Sequence, residues 1–345
     1  MKAAVFYGKG QLRVTEVPTP VPKSGEVLVR VMACGICGTD VHIFHGDEGA
    51  AATPPGTVLG HEFAGAVTEV GSGVTDAAVG DRVCVDPNRM CGQCRFCRGA
   101  EGHFCTHMVG IGTTVNGGFA EYCAVPVSQI HRIADTTPFV DAAMAEPLSC
   151  CLHGMDLCAV RPADTVAVIG CGMIGLLMVQ LAKLAGAARV IAVEPSETAR
   201  AHAARLGADC CIDPTRSDPA AAVRRCGAER VTKVIECVGR PETMVQAVEL
   251  ADARATVMLF GLTAPAETIA IRPFALFKKE LTIKSSYINP YTQQRAVDLI
   301  DGKRIDVHSM VTRTAPLTEL PAILADPALR RGKVLILPNG TDARI

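Results

Sequence analysis

The stretch Cys34–Glu62 concentrates side chains that can bind a metal ion or move a proton. They are a thiol, a hydroxyl, two imidazoles and a carboxylate: Cys37, Thr39, His42, His61 and Glu62. A thiolate, an imidazole nitrogen and a carboxylate oxygen are ligands that zinc accepts. Glycines beside Cys37 and His61 allow backbone turns that other residues disfavour. The stretch therefore predicts most of an open, catalytic zinc site.

The third zinc ligand is left open between two glutamates. Adjacent residues of an extended strand point to opposite faces, so His61 and Glu62 reach one ion only if the backbone turns there, or in different states. Glu146, in the sequence AEPLSC, is the alternative, either as a direct ligand or as the partner of a water molecule on the metal. Zinc with three protein ligands and one exchangeable position polarises an alcohol.

Thr39 and His42 predict a path for the alcohol proton. They lie two and five residues after Cys37, so a hydroxyl near the metal and an imidazole beyond it can pass a proton to solvent. Taken alone, Thr39 is equally compatible with a helix-capping threonine, and His42 with an ordinary loop histidine.

Four further cysteines predict a second, closed metal site. Their spacing is C-x2-C-x2-C-x7-C, over Cys91, Cys94, Cys97 and Cys105. Such spacing lets one loop surround a tetrahedral ion, and four thiolates leave no open position. An iron–sulfur cluster also takes four thiolates, but a compact loop with Gly92 and Gly99 and no second cluster motif favours structural zinc.

A glycine fingerprint predicts a dinucleotide site. The motif G-x-G-x-x-G ends an apolar strand and opens a helix, which is the context that the fingerprint requires. It comprises Gly170, Cys171, Gly172, Met173, Ile174 and Gly175. Glu194 ends the next strand, where a carboxylate accepts hydrogen bonds from the adenosine ribose and favours NAD over NADP. Arg200 is close enough to soften the repulsion of a 2′-phosphate, so NADP stays open.

The elements around these motifs predict two kinds of domain. Residues 1 to about 150 carry short β-like runs punctuated by Gly, Pro and Asp, which indicates a compact β-rich domain. From about 151 to 284, apolar strands alternate with amphipathic helices, which is typical of a parallel, doubly wound α/β sheet of six strands. The uncharged stretch 165–182 meets the length of a membrane span, but its glycines divide it into a strand and a helix.

Composition limits the expected cellular compartment and binding partners of the protein. The 345 residues have a net charge of −1 and no basic run, which argues against nucleic acid or an anionic membrane as partner. We find no secretory signal, so a cytoplasmic enzyme is expected and the 16 cysteines should not form disulfides. We expect Cys150, Cys151, Cys210 and Cys211 to be ordinary core thiols.

The motifs CGICGTDVH, GHE, EPL and GCGMIG, with the four-cysteine loop between them, resemble the zinc-dependent medium-chain alcohol dehydrogenases over essentially the whole chain. The resemblance is greatest to the polyol branch and to threonine dehydrogenases. It implies a GroES-like catalytic domain, residues 1–150 with 285–345, and a Rossmann coenzyme domain, residues 151–284. It also implies a homotetramer or homodimer.

The resemblance assigns roles to individual residues. It implies zinc on Cys37, His61 and a glutamate (Glu62, Glu146, or both through water), with Thr39 and His42 in the proton relay. It further implies cofactor contacts from Ile174 and two other segments: Phe260, Gly261, Leu262, Ser286 and Tyr287. Ile43 and Ala199 depart from the pattern, since relatives carry an aromatic and an arginine there.

Together these features predict a zinc enzyme that reversibly oxidises a secondary alcohol of a polyol or sugar-like substrate by hydride transfer to NAD. A threonine-type amino-alcohol dehydrogenase is the nearest alternative. A zinc-stabilised, non-catalytic nucleotide-binding protein is an alternative of another class.

Overall fold

The computed structural model describes residues 1–47 and 52–340. The chain forms two compact units. Unit 1 comprises residues 1–149 and the chain from Asn289 onward, and unit 2 comprises Cys150–Ile288. The hydrophobic core of each unit is drawn from its own strands and helices.

Strands predominate in unit 1. Its strands are β1 (Lys2–Gly8), β2 (Gln11–Glu16), β3 (Glu26–Gly35), β4 (Thr57–Val58), β5 (Glu62–Val70), β6 (Arg82–Val85), β7 (Asn88–Arg89), β8 (Val109–Gly110), β9 (Tyr122–Pro126) and β10 (Ile130–Arg132). Unit 2 follows with β11 (Thr165–Ile169), β12 (Arg189–Val193), β13 (Cys210–Ile212), β14 (Lys233–Glu236), β15 (Thr256–Leu259) and β16 (Thr282–Ser285). The chain then returns to unit 1 with β17 (Val311–Pro316) and β18 (Lys333–Leu337).

The helices of unit 1 are short, and α4 crosses the boundary at Ser149. The helices are α1 (Gly38–His45), α2 (Arg95–Arg98), α3 (Phe139–Ala142), α4 (Ala145–Cys158), α5 (Met173–Leu184), α6 (Glu197–Arg205), α7 (Pro219–Arg225), α8 (Pro241–Leu250), α9 (Pro273–Lys279), α10 (Gln293–Asp301) and α11 (Leu320–Ala325). Single 3₁₀ turns occupy Gly102–Phe104, Val127–Gln129, His308–Met310, Leu317–Glu319 and Pro327–Arg330.

The main sheet of unit 1 is centred on β3. Its order is β10-β6-β5-β3-β18-β17, and β9 also pairs with β3. The sequence EVLVRVMACG is almost continuously apolar, and most of β3 is buried, as expected for a strand covered on both faces. The C-terminal strand β18 thereby packs beside a strand from the first tenth of the chain.

The sheet of unit 2 is parallel throughout, with the order β13-β12-β11-β14-β15-β16. Numbered within the unit, this order is 3-2-1-4-5-6, which defines the doubly wound dinucleotide fold. The predicted fold class, a β-rich domain with a Rossmann domain, is confirmed.

The uncharged stretch 165–182 is divided between strand β11 and helix α5. In the part of the chain that the structure describes, no helix is both long and apolar enough to cross a membrane.

One expectation about cysteines is wrong. Cys210 forms a disulfide with Cys226, across a Cα–Cα distance of 6.0 Å. The bond joins β13 to the end of α7, two elements brought together by the α/β packing rather than by sequence spacing. Cys150, Cys151 and Cys211 take part in no disulfide among the described residues, and Cys151 is buried whereas Cys150 and Cys211 are partly buried.

Candidate metal and cofactor sites

Three neighbouring strands in the interior of the main sheet bring the first cluster together where their ends meet. In the order β5-β3-β18, Gly35 of β3 lies opposite Glu62 on one side and Leu335 on the other. Because β3 runs antiparallel to both neighbours, its end meets their beginnings. Cys37 follows the end of β3, Glu62 opens β5 and Lys333 opens β18, so three segments distant in sequence meet there.

Cys37, His61 and Glu62 form a candidate metal site. One ligand atom from each residue lies within 4.8 Å of the other two. His61 and Glu62 are buried, and Glu62 Oε1 has no hydrogen-bond partner among the described residues. Buried polar atoms normally have a partner, and the donor set of sulfur, nitrogen and oxygen suits zinc. The residues therefore fit a zinc ion.

A glycine turn allows His61 and Glu62 to face the same point. Gly60 adopts φ +95°, a conformation that favours glycine, and β5 begins only at Glu62. His61 is thus outside the strand, so the alternation of an extended chain does not separate it from Glu62. A Cβ on Gly60 would also stand 2.7 Å from the Phe119 ring.

Asp40, which the sequence reasoning missed, supports the cluster. It is fully buried, and its carboxylate accepts a hydrogen bond from the Cys37 backbone at 2.8 Å and lies 3.5 Å from His61 Nδ1. Burial lowers the pKa of His61, but the charges of Asp40 and Cys37 outweigh it, and the pKa of His61 is well above its ordinary value. The signal was the spacing of Cys37 and Asp40, which matches the N-cap and third residue of α1.

Lys333 is the second missed residue. Its ammonium pairs with Glu62 Oε2 and donates to the carbonyl oxygen of Ile36 at 3.1 Å. Both side chains of the ion pair are only 1% exposed, which is rare for these residue types. The signal in the sequence was a lone charge opening the apolar strand KVLIL.

Glu146 lies near the cluster without joining it. It is the second residue of α4, it is buried, and it is not part of the Cys37–His61–Glu62 group. Burial raises the pKa of Glu146 to about 7, with the charge of Glu62 adding to the rise and that of His61 opposing it. Of the two glutamates, Glu62 therefore has the position of a ligand.

Thr39 and His42 occupy α1, directly after Cys37. The Thr39 hydroxyl is 3.7 Å from Cys37 Sγ. The His42 side chain is half exposed, and its Nδ1 lies 3.0 Å from Asp47 Oδ2. Spacing of three residues on a helix puts Thr39 and His42 on the same side of α1, with His42 toward solvent.

Cys91, Cys94, Cys97 and Cys105 form the second candidate metal site. The Sγ atoms of Cys94 and Cys97 are 3.5 Å apart, and those of Cys91 and Cys97 are 3.9 Å apart. Four sulfur atoms bound tetrahedrally to zinc would be separated by about 3.8 Å. Backbone N–H groups point at these sulfurs, and one from Cys97 helps to lower the pKa of Cys94 to about 6. Burial and the neighbouring cysteines raise the pKa of Cys97 to about 12, so the spacing of the sulfur atoms is what fits zinc.

The fingerprint glycines of unit 2 have distinct surroundings. Gly170 adopts φ +87° at the end of β11, where the chain turns. A Cβ on Gly172 would meet no atom within 4 Å, which leaves room for a phosphate at the start of α5. A Cβ on Gly175 would overlap the carbonyl oxygen of Gly170, so only glycine permits this packing of helix on strand. Met173 and Ile174 form the first turn of α5.

Glu194 directly follows β12 and Arg200 lies on α6, and both side chains are engaged by other groups of the protein. The Glu194 carboxylate accepts the backbone N–H groups of Cys171 and Ser196, both at 2.8 Å, and so fixes the fingerprint turn. The Arg200 guanidinium is engaged by the Glu194 carbonyl oxygen at 2.7 Å and by Asp213 at 3.3 Å. Arg200 is thus directed to its own protein groups.

Buried Glu236, another residue missed from the sequence, holds the predicted Phe260–Leu262 turn. Its backbone oxygen accepts the N–H groups of Phe260 and Gly261, and its carboxylate accepts those of Val238 and Gly239. Leu262 itself is 81% exposed. The other predicted cofactor residues follow β16: Ser286 and Tyr287.

The chain matches two protein-family models. Residues 23–135 match the alcohol dehydrogenase GroES-like domain, and residues 174–302 match the zinc-binding dehydrogenase model. D-arabitol-phosphate dehydrogenase of Enterococcus avium is 33% identical over 317 residues, covering 90% of this chain and 89% of that protein. L-threonine 3-dehydrogenase of Bacillus subtilis is 35% identical over 334 residues, covering 94% of each.

A solved structure extends the likeness to three dimensions. The zinc-binding dehydrogenase from Sinorhizobium meliloti 1021, crystallised with NADP, superimposes with a TM-score of 0.94 at 41% identity, covering 98% of this chain and 99% of that one. The two family models and the relatives above 30% identity that cover most of this chain point to one family. The predicted resemblance is confirmed, and this chain belongs to the zinc-dependent medium-chain alcohol dehydrogenases, enzymes that transfer hydride between an alcohol and a nicotinamide dinucleotide.

Proposed function

We propose that this enzyme oxidises a secondary alcohol of a polyol or sugar-like substrate, reversibly, with NAD or NADP as hydride acceptor. The single observation that carries the chemistry is the convergence of Cys37, His61 and Glu62, with one ligand atom of each within 4.8 Å of the other two. The substrate class follows from relatives such as the D-arabitol-phosphate dehydrogenase, since no residue of this chain names the alcohol.

Each residue of the cluster has a definite task. Cys37, His61 and Glu62 would hold a zinc ion, which supplies Lewis acidity toward the substrate hydroxyl when bound. Thr39, whose oxygen is 3.7 Å from Cys37 Sγ, relays the hydroxyl proton by accepting it while donating its own proton toward His42, and His42 releases a proton to solvent. Glu146 orients the alcohol or a water molecule beside the cluster.

Unit 2 provides the coenzyme site. The first turn of α5, with its open space at Gly172, receives the pyrophosphate, and Glu194 receives the adenosine ribose. Glu194 favours NAD, yet its carboxylate is already bound to the fingerprint turn and the relative from S. meliloti was crystallised with NADP. Both coenzymes therefore belong in the test.

A substrate screen tests the proposal directly. The purified protein is assayed with free polyols, phosphorylated polyols, sugars and L-threonine, each with NAD and with NADP. Turnover of a polyol or its phosphate with the highest kcat/KM supports the proposal. Turnover of amino alcohols alone, or no turnover by fully zinc-loaded protein, contradicts it.

A threonine-type dehydrogenase is the second candidate. The threonine enzyme of B. subtilis is as similar to this chain as the polyol enzyme, at 35% against 33% identity. The screen separates the two candidates by the ratio of kcat/KM for L-threonine and for the best polyol.

We further infer a homodimer or homotetramer in the cytoplasm. β16 ends the sheet of unit 2 with one described neighbour, and Phe274 and Phe277 on α9 are 72% and 77% exposed. An open strand edge beside exposed aromatic rings favours pairing with a second copy. Fourteen of the 16 cysteines lie outside the Cys210–Cys226 disulfide, and this proportion favours a reducing compartment. Sedimentation velocity tests the oligomer, and cell fractionation tests the location.

A further inference from the structure

The buried lysine beside the metal cluster has no part in the chemistry described so far. Lys333 is 1% exposed and lies at the first position of β18, 271 residues from Glu62 in sequence. Burying an ammonium group is costly unless it is paired and hydrogen-bonded. Here it is both, since it binds the Glu62 carboxylate and the Ile36 carbonyl oxygen.

The strand register shows how the pair is accommodated. Gly35 lies between Glu62 and the start of β18, on the strand that separates them. A Cβ at this position would overlap Glu62 Oε2 and stand 2.8 Å from Lys333 Nζ. The missing side chain of Gly35 therefore opens a passage in which the carboxylate and the ammonium meet across β3.

The two oxygens of Glu62 are left in different situations. Oε2 is held by Lys333, whereas Oε1 is buried without a hydrogen-bond partner among the described residues. Lys333 also binds the carbonyl oxygen of Ile36, the residue directly before Cys37. One ammonium thus fixes the positions of two of the three candidate ligands.

We propose that Lys333 is a positioning residue for the metal site: it holds Glu62 Oε2 across Gly35, so that Glu62 offers the metal a single oxygen, Oε1. A carboxylate that binds through both oxygens would occupy two coordination positions, one of which the substrate hydroxyl needs. The proposal rests on the proposed function, because it assumes that Glu62 is a zinc ligand.

Two other roles of Lys333 predict different results. If the ammonium acted mainly by repelling the zinc ion, its removal would tighten zinc binding. If it only stabilised the fold, its removal would lower the melting temperature and leave the zinc affinity unchanged. Loss of a positioning partner instead weakens metal binding, by about 10–100-fold for groups that orient a ligand.

The test is Lys333→Met in the full-length protein, with the zinc affinity of both sites measured by competition with a chromophoric chelator. The open site should lose affinity by about 10–100-fold, and the four-cysteine site, the internal reference, should not change. A folded variant whose open site binds zinc equally or more tightly overturns the proposal. If Lys333→Met does not fold, Lys333→Gln keeps a donor for Ile36 without the charge, and the same outcomes apply.

A second measurement isolates the role of Glu62. In a Glu62→Gln background, Lys333→Met should cause a smaller loss of zinc affinity than in the unaltered protein, since only its contact with Ile36 is left to lose, whereas an equal loss in both backgrounds excludes action through Glu62. In the unaltered protein, the infrared carboxylate stretches should show one-oxygen ligation on zinc binding, and a two-oxygen pattern overturns the proposal. If the open site takes up no zinc at all, the proposed function fails instead.

Discussion

The two metal clusters of unit 1 are built in opposite ways. All four cysteines of the closed site come from Cys91–Cys105, are held by one short helix and a 3₁₀ turn, and three of them are partly exposed. The open site draws Cys37 from the end of β3, Glu62 from the start of β5 and Lys333 from the start of β18. Its groups, apart from Cys37, are buried.

The difference separates a local site from an assembled one. A loop that carries all its ligands needs little from the rest of the fold, and its metal stabilises the loop in return. The open site exists only when three strands are in register, and its exact geometry depends on supporting residues that do not touch the metal. Substitutions in the open site should therefore lower turnover, whereas substitutions in the closed site should lower stability.

The largest effect on turnover is expected from Cys37→Ser. Loss of a zinc ligand should reduce kcat/KM below detection, because its cost exceeds the 10–100-fold that a supporting residue contributes. Coenzyme binding, measured by calorimetry, should stay nearly unchanged, since Cys37 lies in unit 1 and the fingerprint in unit 2. Cys34→Ala, a buried thiol outside the cluster, is the matched control. Unchanged turnover in Cys37→Ser would refute the zinc assignment.

Thr39→Val should have the next largest effect. The substitution keeps the shape of the side chain and removes the hydroxyl that accepts the proton, so kcat should fall by about 10²–10⁴-fold. Zinc content should remain at two ions per chain, and Thr39→Ser should restore most of the turnover. A Thr39→Val enzyme with normal kcat would remove Thr39 from the relay.

Asp40→Asn should have a moderate effect. Asparagine still accepts the Cys37 N–H but loses the charge that faces His61, so zinc affinity or kcat should fall by about 10–100-fold. The control is Asp76→Asn, since Asp76 is exposed and lies outside the metal cluster. Equal effects of the two substitutions would mean that burial of Asp40 in the cluster is not important.

Cys91→Ser should have the smallest effect on turnover and act on stability instead. Turnover per folded molecule should be unchanged, while calorimetry should show a lower melting temperature. Each kcal/mol lost in a domain of this size lowers that temperature by about 2–4 °C. A Cys91→Ser protein that is fully stable but inactive would contradict the structural role of the four-cysteine site.

Local spacing accounts for what could be predicted of these sites. The four cysteines and the fingerprint glycines lie close together in sequence, so their geometry follows from one loop or one turn. The alternation of strands and helices likewise predicted the parallel sheet of unit 2. The disulfide between Cys210 and Cys226 was missed, because helix α7 intervenes and only the packing brings its end to β13.

By itself, the sequence determined the kinds of groups in each site, the fold class and the family. Only the tertiary structure decided that Glu62, rather than Glu146, lies with Cys37 and His61, and that Asp40 faces His61 and Lys333 pairs with Glu62. The physical reason is strand register: the passage across Gly35 exists because β5, β3 and β18 pair with particular residues opposite one another. Glu62 and Lys333 are 271 residues apart in sequence, so their contact depends on the folded sheet and cannot be predicted from a local sequence pattern.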